Sequence, residues 1–128
     1  MNSLIFQNLS RICNRQGWRL SITNENDDET YLDFIYHTSS GEPFTISICF
    51  TELYEVADEI MTEFENFKLD RNLQYFLEGI TNLTPETYLE VIKEVEIVRQ
   101  RIWILALEIE YLADRLHPLL QFLRKSMN

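Results

Sequence analysis

The sequence predicts an α+β fold: a three-stranded antiparallel meander with helices packed on one face, in the order α-β-β-β-α-α-α, closed by a long C-terminal helix. Three observations predict it. Val91, Val95, Val98, Ile102, Leu105, Ile109, Leu112 and Leu116 recur at alternating steps of four and three, and only an α-helix puts such positions on one face. Phe44, Ile46, Ile48 and Phe50 alternate with Thr45, Ser47 and Cys49, the period of a half-buried strand. Leu53, Val56, Ala57, Ile60, Met61 and Phe64 make an apolar stripe on a segment whose other positions are mostly acidic, an amphipathic helix.

The elements follow in order. Residues 3–16 read as a short helix with Ile5, Leu9, Ile12 and Cys13 on one face, and Gly17 is a natural stop. Trp18, Leu20 and Ile22 then alternate with Arg19, Ser21 and Thr23 as a first strand, residues 24–29 read as a polar turn, and residues 30–36 as a second strand. Gly41 and Pro43 punctuate the next loop. Pairing Tyr36 with Phe44, Phe34 with Ile46 and Leu32 with Ile48 makes one sheet face wholly apolar. A one-residue slip would set Asp33 against Ile48, so the first register is expected. The opposite face, with Asp33, Ile35, Thr45 and Ser47, is expected to meet water.

Thr51 is the expected cap of the acidic helix, and Asp70 that of a shorter helix over 71–78 which buries Leu73, Phe76 and Leu77 and stops at Gly79. The long helix opens at Thr84 as N-cap, with Pro85 at its first position and Glu86 in its first turn. Leu83 and Tyr88 have the spacing of a hydrophobic staple. Pro118 is expected to end or kink the helix near Leu116. From Thr84 to Leu116 it would run roughly 48 Å, against roughly 36 Å for the diameter of a compact chain of this length. One end therefore projects, or the helix breaks, or a second chain covers it.

The bulk properties exclude several classes. The chain has 128 residues, enough for one domain (1–128) with one core. With 45% hydrophobic and 12% aromatic residues it is no disordered regulator. No apolar run approaches the ~18 residues of a membrane span. The start Met1-Asn2-Ser3-Leu4-Ile5-Phe6 lacks the pattern of a signal peptide. Two cysteines without a CxxC spacing fit a reduced, cytoplasmic protein.

Charge is more informative. The net charge is −10, yet residues 1–24 carry Arg11, Arg15 and Arg19 and no acid. Residues 20–67 carry twelve acids and no Lys or Arg. Such a middle repels nucleic acid and anionic membrane and attracts basic surfaces.

A resemblance enters on particular residues. A first helix, the pair Gly17-Trp18, three strands and the run Asp58-Glu59-Ile60-Met61-Thr62-Glu63-Phe64-Glu65-Asn66-Phe67 are followed by Phe67-Lys68-Leu69-Asp70, a short helix and a closing helix. This layout, over residues 4–80, resembles a group of small acidic accessory proteins on mobile elements of gut bacteria. The resemblance implies an accessory role on a mobile element and assigns no functional residue.

No catalytic or metal motif stands out. Cys13, Cys49, His37 and His117 have no ligand spacing among them. The register sets Cys49 level with Tyr31, far from His37, so a Cys–His nucleophile pair is not expected. Carboxylates are abundant, but none accompanies a cleft signature of the kind glycoside hydrolysis needs. The run Asn24-Glu25-Asn26-Asp27-Asp28-Glu29 lacks the Gly and the closing Glu of an EF-hand loop. The expectation is a protein that is no enzyme and holds no metal or cofactor.

Two binding readings remain. The first is a non-enzymatic acidic protein-binding module, a DNA mimic inhibiting a nucleic-acid-binding host defence protein of the anti-restriction or anti-CRISPR type. Its carriers would be Glu52, Glu55, Asp58, Glu59 and Glu63 with Asp27, Asp28 and Glu29. They would copy a phosphate array for a partner with a basic surface, such as a nuclease, without binding nucleic acid directly. The second is a helical assembly protein or chaperone/adaptor acting through the long helix. Residues 103–113 are apolar nearly all round, and Trp103, Ile104, Leu107 and Tyr111 lie off the main stripe. A helix apolar on most sides needs cover on most sides. Hence a homodimer centred on Trp103, Leu107 and Tyr111 is expected, unless the first helix and the Leu119–Leu123 segment fold over that face.

Overall fold

The first helix, α1 (Ser3–Gln16), buries the expected Ile5, Leu9, Ile12 and Cys13. Its end is a left-handed stop: Gly17 has φ +80°, and the Trp18 N–H reaches back to the Cys13 carbonyl at 2.8 Å. Only glycine enters that backbone region freely. A Cβ there would also meet Arg101 Nη1 at 2.8 Å. Gly17→Ala is expected to cost about 1–2 kcal/mol, read as a lowered urea midpoint. The computed structural model describes residues 3–26, 29–39 and 42–126, with the backbone alone at 25, 26, 69–71, 120, 123, 124 and 126.

Three strands follow: β1 (Arg19–Asn26), β2 (Glu29–His37) and β3 (Pro43–Cys49). They form one antiparallel sheet in the order β1-β2-β3. The pairs Tyr36–Phe44, Phe34–Ile46 and Leu32–Ile48 are those the hydrophobic pattern demands. The first hairpin is longer than its sequence suggests. β1 and β2 pair as far as Asn26 with Glu29, with an irregularity between Asn24 and Asn26. Thr30 Oγ1 donates to Asn24 Oδ1 at 2.9 Å, so these polar residues have cross-strand partners and need not form the turn.

Helix α2 (Leu53–Asn66) buries Leu53, Val56, Ala57 and Ile60, and α3 (Leu69–Leu77) buries Phe76. Both begin differently from expectation. Glu52, not Thr51, stands at the α2 cap in extended conformation, and the Thr51 hydroxyl donates to the Glu55 carboxylate rather than accepting a backbone N–H. At α3 the cap position is Lys68, whose carbonyl accepts the Asn72 N–H at 2.9 Å. Asp70 therefore falls in the first turn of α3, not at its cap.

The last helix, α4 (Pro85–Ser126), is capped as expected: the Thr87 N–H donates to Thr84 Oγ1 at 3.2 Å. Thr84→Ala is expected to cost about 1 kcal/mol, measured by thermal unfolding. Leu83 and Tyr88 are both exposed. Pro118 neither ends nor splits the helix, which runs on to Ser126. Proline there removes the N–H that would serve the Asp114 carbonyl. Asp114 and His117 are exposed, so water can take that bond, and Gln121 and Leu119 are helix formers. At 42 residues the helix is about 63 Å long.

All eight stripe residues from Val91 to Leu116 are buried, Val98, Ile102, Leu105, Ile109 and Leu112 completely. They join Leu9, Trp18, Leu32, Phe34, Ile46, Ile48, Val56, Ile60 and Phe76 in one core cluster. Leu20 of β1, which shares the alternation of Trp18, is half-buried at its edge. α1 packs beside β1, α2 beside β3, and α4 against all three other helices. Phe44 sits at an aromatic junction, with ring centroids 5.7 Å from Phe67, 6.1 Å from Phe76 and 6.4 Å from Trp18.

Candidate interaction surfaces

Two surfaces stand out, and α4 positions both. Helix α2 lies antiparallel to it. At one end Tyr54 donates its hydroxyl to Asp114 Oδ1 at 2.7 Å, which raises the phenol above its usual pKa. At the other end the Arg99 guanidinium stands 4.3 Å above the Phe64 ring. Helix α1 lies along the other flank, where Gln16 Nε2 donates to Glu108 Oε1 at 3.2 Å and its carbonyl accepts from Arg101.

The first surface is the outer face of α2. Glu52, Glu55, Asp58, Glu59 and Glu63 are all exposed. Among the described residues, none of these carboxylates has a cation within 4.0 Å. Glu29 is exposed at the start of β2, where Tyr31 donates to it at 3.1 Å. Since the Phe50 N–H bonds the Thr30 carbonyl at 2.7 Å, Glu29 lies at the end of the molecule from which α2 starts. Asp27 and Asp28 lie outside the described residues. Glu55, Glu59 and Glu63 follow one another at four-residue steps, so each adjacent pair repels by about 0.2–0.5 kcal/mol. Glu59→Lys turns two repulsions into attractions and is expected to stabilise the fold by up to about 1 kcal/mol, seen as a raised Tm that salt diminishes.

The second surface is the outer face of α4. Trp103 is 45% exposed, Leu107 39% and Tyr111 65%. Neither α1 nor the C-terminal segment folds over them: α1 stays on the flank, and Leu119 continues the helix, exposed. Ile97 and Phe122 extend the apolar line on either side, and both were missed in the sequence. For Ile97 the signal was the seven-residue step Ile97, Ile104, Tyr111, a second period parallel to the buried one. At 100° per residue these positions lie roughly 110–150° from the centre of the core stripe.

A trough runs beside this line, between α1 and α4, lined by Ile12, Ile104, Leu107, Glu108, Tyr111 and two arginines, Arg15 and Arg115. Glu108 Oε2 is buried there without a hydrogen-bond partner, with Arg15 Nη2 4.0 Å away. Beneath it, burial and the nearby Glu108 charge push the Cys13 thiol up to about 12. The unfolded thiol ionises near 9.0, so folding holds the proton more tightly. That contribution is complete below pH 9 and fades as pH rises towards 12, by about 1.4 kcal/mol per unit. Cys13→Ser should therefore flatten the alkaline fall of stability. In the folded protein a thiol reagent should modify exposed Cys49 fast and Cys13 only on unfolding.

His37 pairs with Pro43 and Cys49 with Tyr31, at opposite ends of β2 and β3. Among the described residues no cluster of His, Cys, Asp or Glu is placed to hold a metal ion, and no helix is long and apolar enough to cross a membrane. Comparisons with protein-family models, curated proteins and solved structures gave no match.

Proposed function

We propose that this chain is a non-enzymatic protein-interaction module of the helical assembly or adaptor kind, and that its working surface is the outer face of α4. One observation carries this reading: Trp103, Leu107 and Tyr111 stand exposed in line on the face opposite the buried stripe. A helix face that serves only solvent has no use for an indole, a phenol and an aliphatic side chain in register, and such patches mark association sites. Aromatic residues are also the usual anchors of protein interfaces.

The second reading is the acidic decoy, a DNA mimic aimed at a basic groove. The unpaired, mutually repelling carboxylates of α2 favour it, because a partner's Arg or Lys would relieve that repulsion. An accessory role on a mobile element and a cytoplasmic site of action go with either reading.

Salt and mutation separate the two. The tagged protein is used to capture partners from host lysate at low and high ionic strength. Helix docking persists in salt and is abolished by Leu107→Glu or Tyr111→Glu, with the fold intact by circular dichroism. Decoy binding falls steeply with salt and collapses in the triple reversal of Glu55, Glu59 and Glu63 to Lys, a set expected to leave the fold intact because all three are exposed. Capture that ignores Leu107→Glu but fails in the triple reversal would replace the first reading by the second.

A further inference from the structure

The outer face of α4 carries its own statement about what covers it. In heptad terms Ile97, Ile104 and Tyr111 occupy one seam position, a, while Gln100 and Leu107 occupy the other, d. β-Branched Ile at a with Leu at d is the pattern of parallel two-stranded pairing. The flanks are charged unequally. On the α2 side, position g holds Glu96, Trp103 and Glu110; on the α1 side, position e holds Arg101, Glu108 and Arg115.

Orientation follows from those flanks. In a parallel pair with a two-fold axis along the helices, each g residue meets the e residue five places further on in the other chain. Glu110 then meets Arg115 with opposite charge, and Glu96 comes to the side of Arg101, whose guanidinium is held by the Gln16 carbonyl of its own chain. An antiparallel pair sets g against g and e against e; in the register that brings Glu96 towards Glu110, Arg101 lies nearest its own copy, again of like sign. The bodies repeat the asymmetry. A parallel pair lays basic α1, with exposed Arg11 and Arg15, beside acidic α2, with exposed Asp58 and Glu65.

The third pair is Trp103 with Glu108. Position 108 is in the trough between α1 and α4, whose walls include Ile12, Ile104 and Leu107. Its Oε2 is buried without a hydrogen-bond partner, 4.0 Å from Arg15 Nη2, and a buried acceptor of that kind calls for a donor. Trp103 ends in an N–H on an apolar body and is 45% exposed in the single chain. At Tyr111 the seam is still apolar; beyond it, Asp114 at d is drawn aside by the Tyr54 hydroxyl, and Pro118 follows.

We infer that the occupant of the outer face is a second copy of this chain, docked parallel and in register along residues 97–111, with each Trp103 indole seated in the other chain's trough and donating to Glu108. This rests on the reading of that face as the working surface.

Light scattering and sedimentation across the micromolar range are expected to show a mass of twice 15.3 kDa. Glu110→Arg and Arg115→Glu, each on an exposed residue, should weaken the dimer more than about tenfold, and the double swap should restore it. Trp103→Phe should weaken it while Tyr111→Phe does not. Orientation is read with Gln100→Cys in a Cys49→Ser background. A parallel pair brings residue 100 beside its own copy and oxidises to a disulfide-linked dimer; an antiparallel pair does not. A chain that remains near 15.3 kDa at every concentration overturns the second-copy assignment and leaves the face to a different helix. A dimer that neither cross-links at 100 nor recovers in the double swap overturns the parallel arrangement. Lysate capture that Leu107→Glu leaves unchanged overturns the docking reading beneath both.

Discussion

Ile102→Ala is expected to lower folding stability by about 2–5 kcal/mol, while Trp103→Ala, one residue on, shifts it by about 0.5 kcal/mol or less. The contrast is large because α4 has two apolar faces with different neighbours. Ile102 is completely buried in the core; truncation leaves a cavity that α1, α2 and the sheet cannot all close, and lost contacts add to lost burial. Trp103 faces out, so the single chain loses little with it. Both variants are compared by urea unfolding at dilutions where the chain is monomeric, since association would add its own stabilisation to the wild type. Equal losses at the two positions would mean that Trp103 is packed within its own chain.

Phe34→Ala is expected to cost about 3–5 kcal/mol, a large part of the 5–15 kcal/mol typical of a whole domain. Phe34 lies near the middle of the central strand, with Leu20 opposite on β1 and Ile46 opposite on β3. It is fully buried, and helices close the face it points into. The urea midpoint should fall with little change in slope, because the surface exposed on unfolding hardly changes. Ile35, next along but on the other face and half-buried, should cost about 0.5–1.5 kcal/mol when trimmed to valine. Similar effects at 34 and 35 would show that both sheet faces are packed.

The two surfaces differ in what supports them physically. An acidic face is common on the solvated helices of an acidic protein, and its energy is modest in water. An exposed apolar line opposite a complete core stripe is harder to explain without an occupant, because each such side chain costs solvation in the free chain. For this reason the outer face of α4 takes first place although the acidic run dominates the composition.

Strand register, the buried stripe of α4 and the end of α1 were legible in the sequence because each rests on local periodicity or on one residue's backbone freedom. Leu32, Phe34 and Tyr36 have one register that keeps Asp33 in water, and the sheet adopts it. Gly17 alone permits the positive φ that turns the chain into β1. The helix starts were less legible: a Thr or Asp marks a cap only if its hydroxyl or carboxylate is free, and at Thr51 the neighbouring Glu55 competes for it. The continuation of α4 through Pro118 was decided by exposure, since the lost hydrogen bond is cheap where water reaches the freed carbonyl. The accessibility of Trp103 and Tyr111 was decided only by tertiary structure. Periodicity shows that a helix has two apolar faces; it cannot show that α1 and α2 lie along its flanks and leave the outer one open, because that depends on where three short helices and a sheet come to rest around the other face.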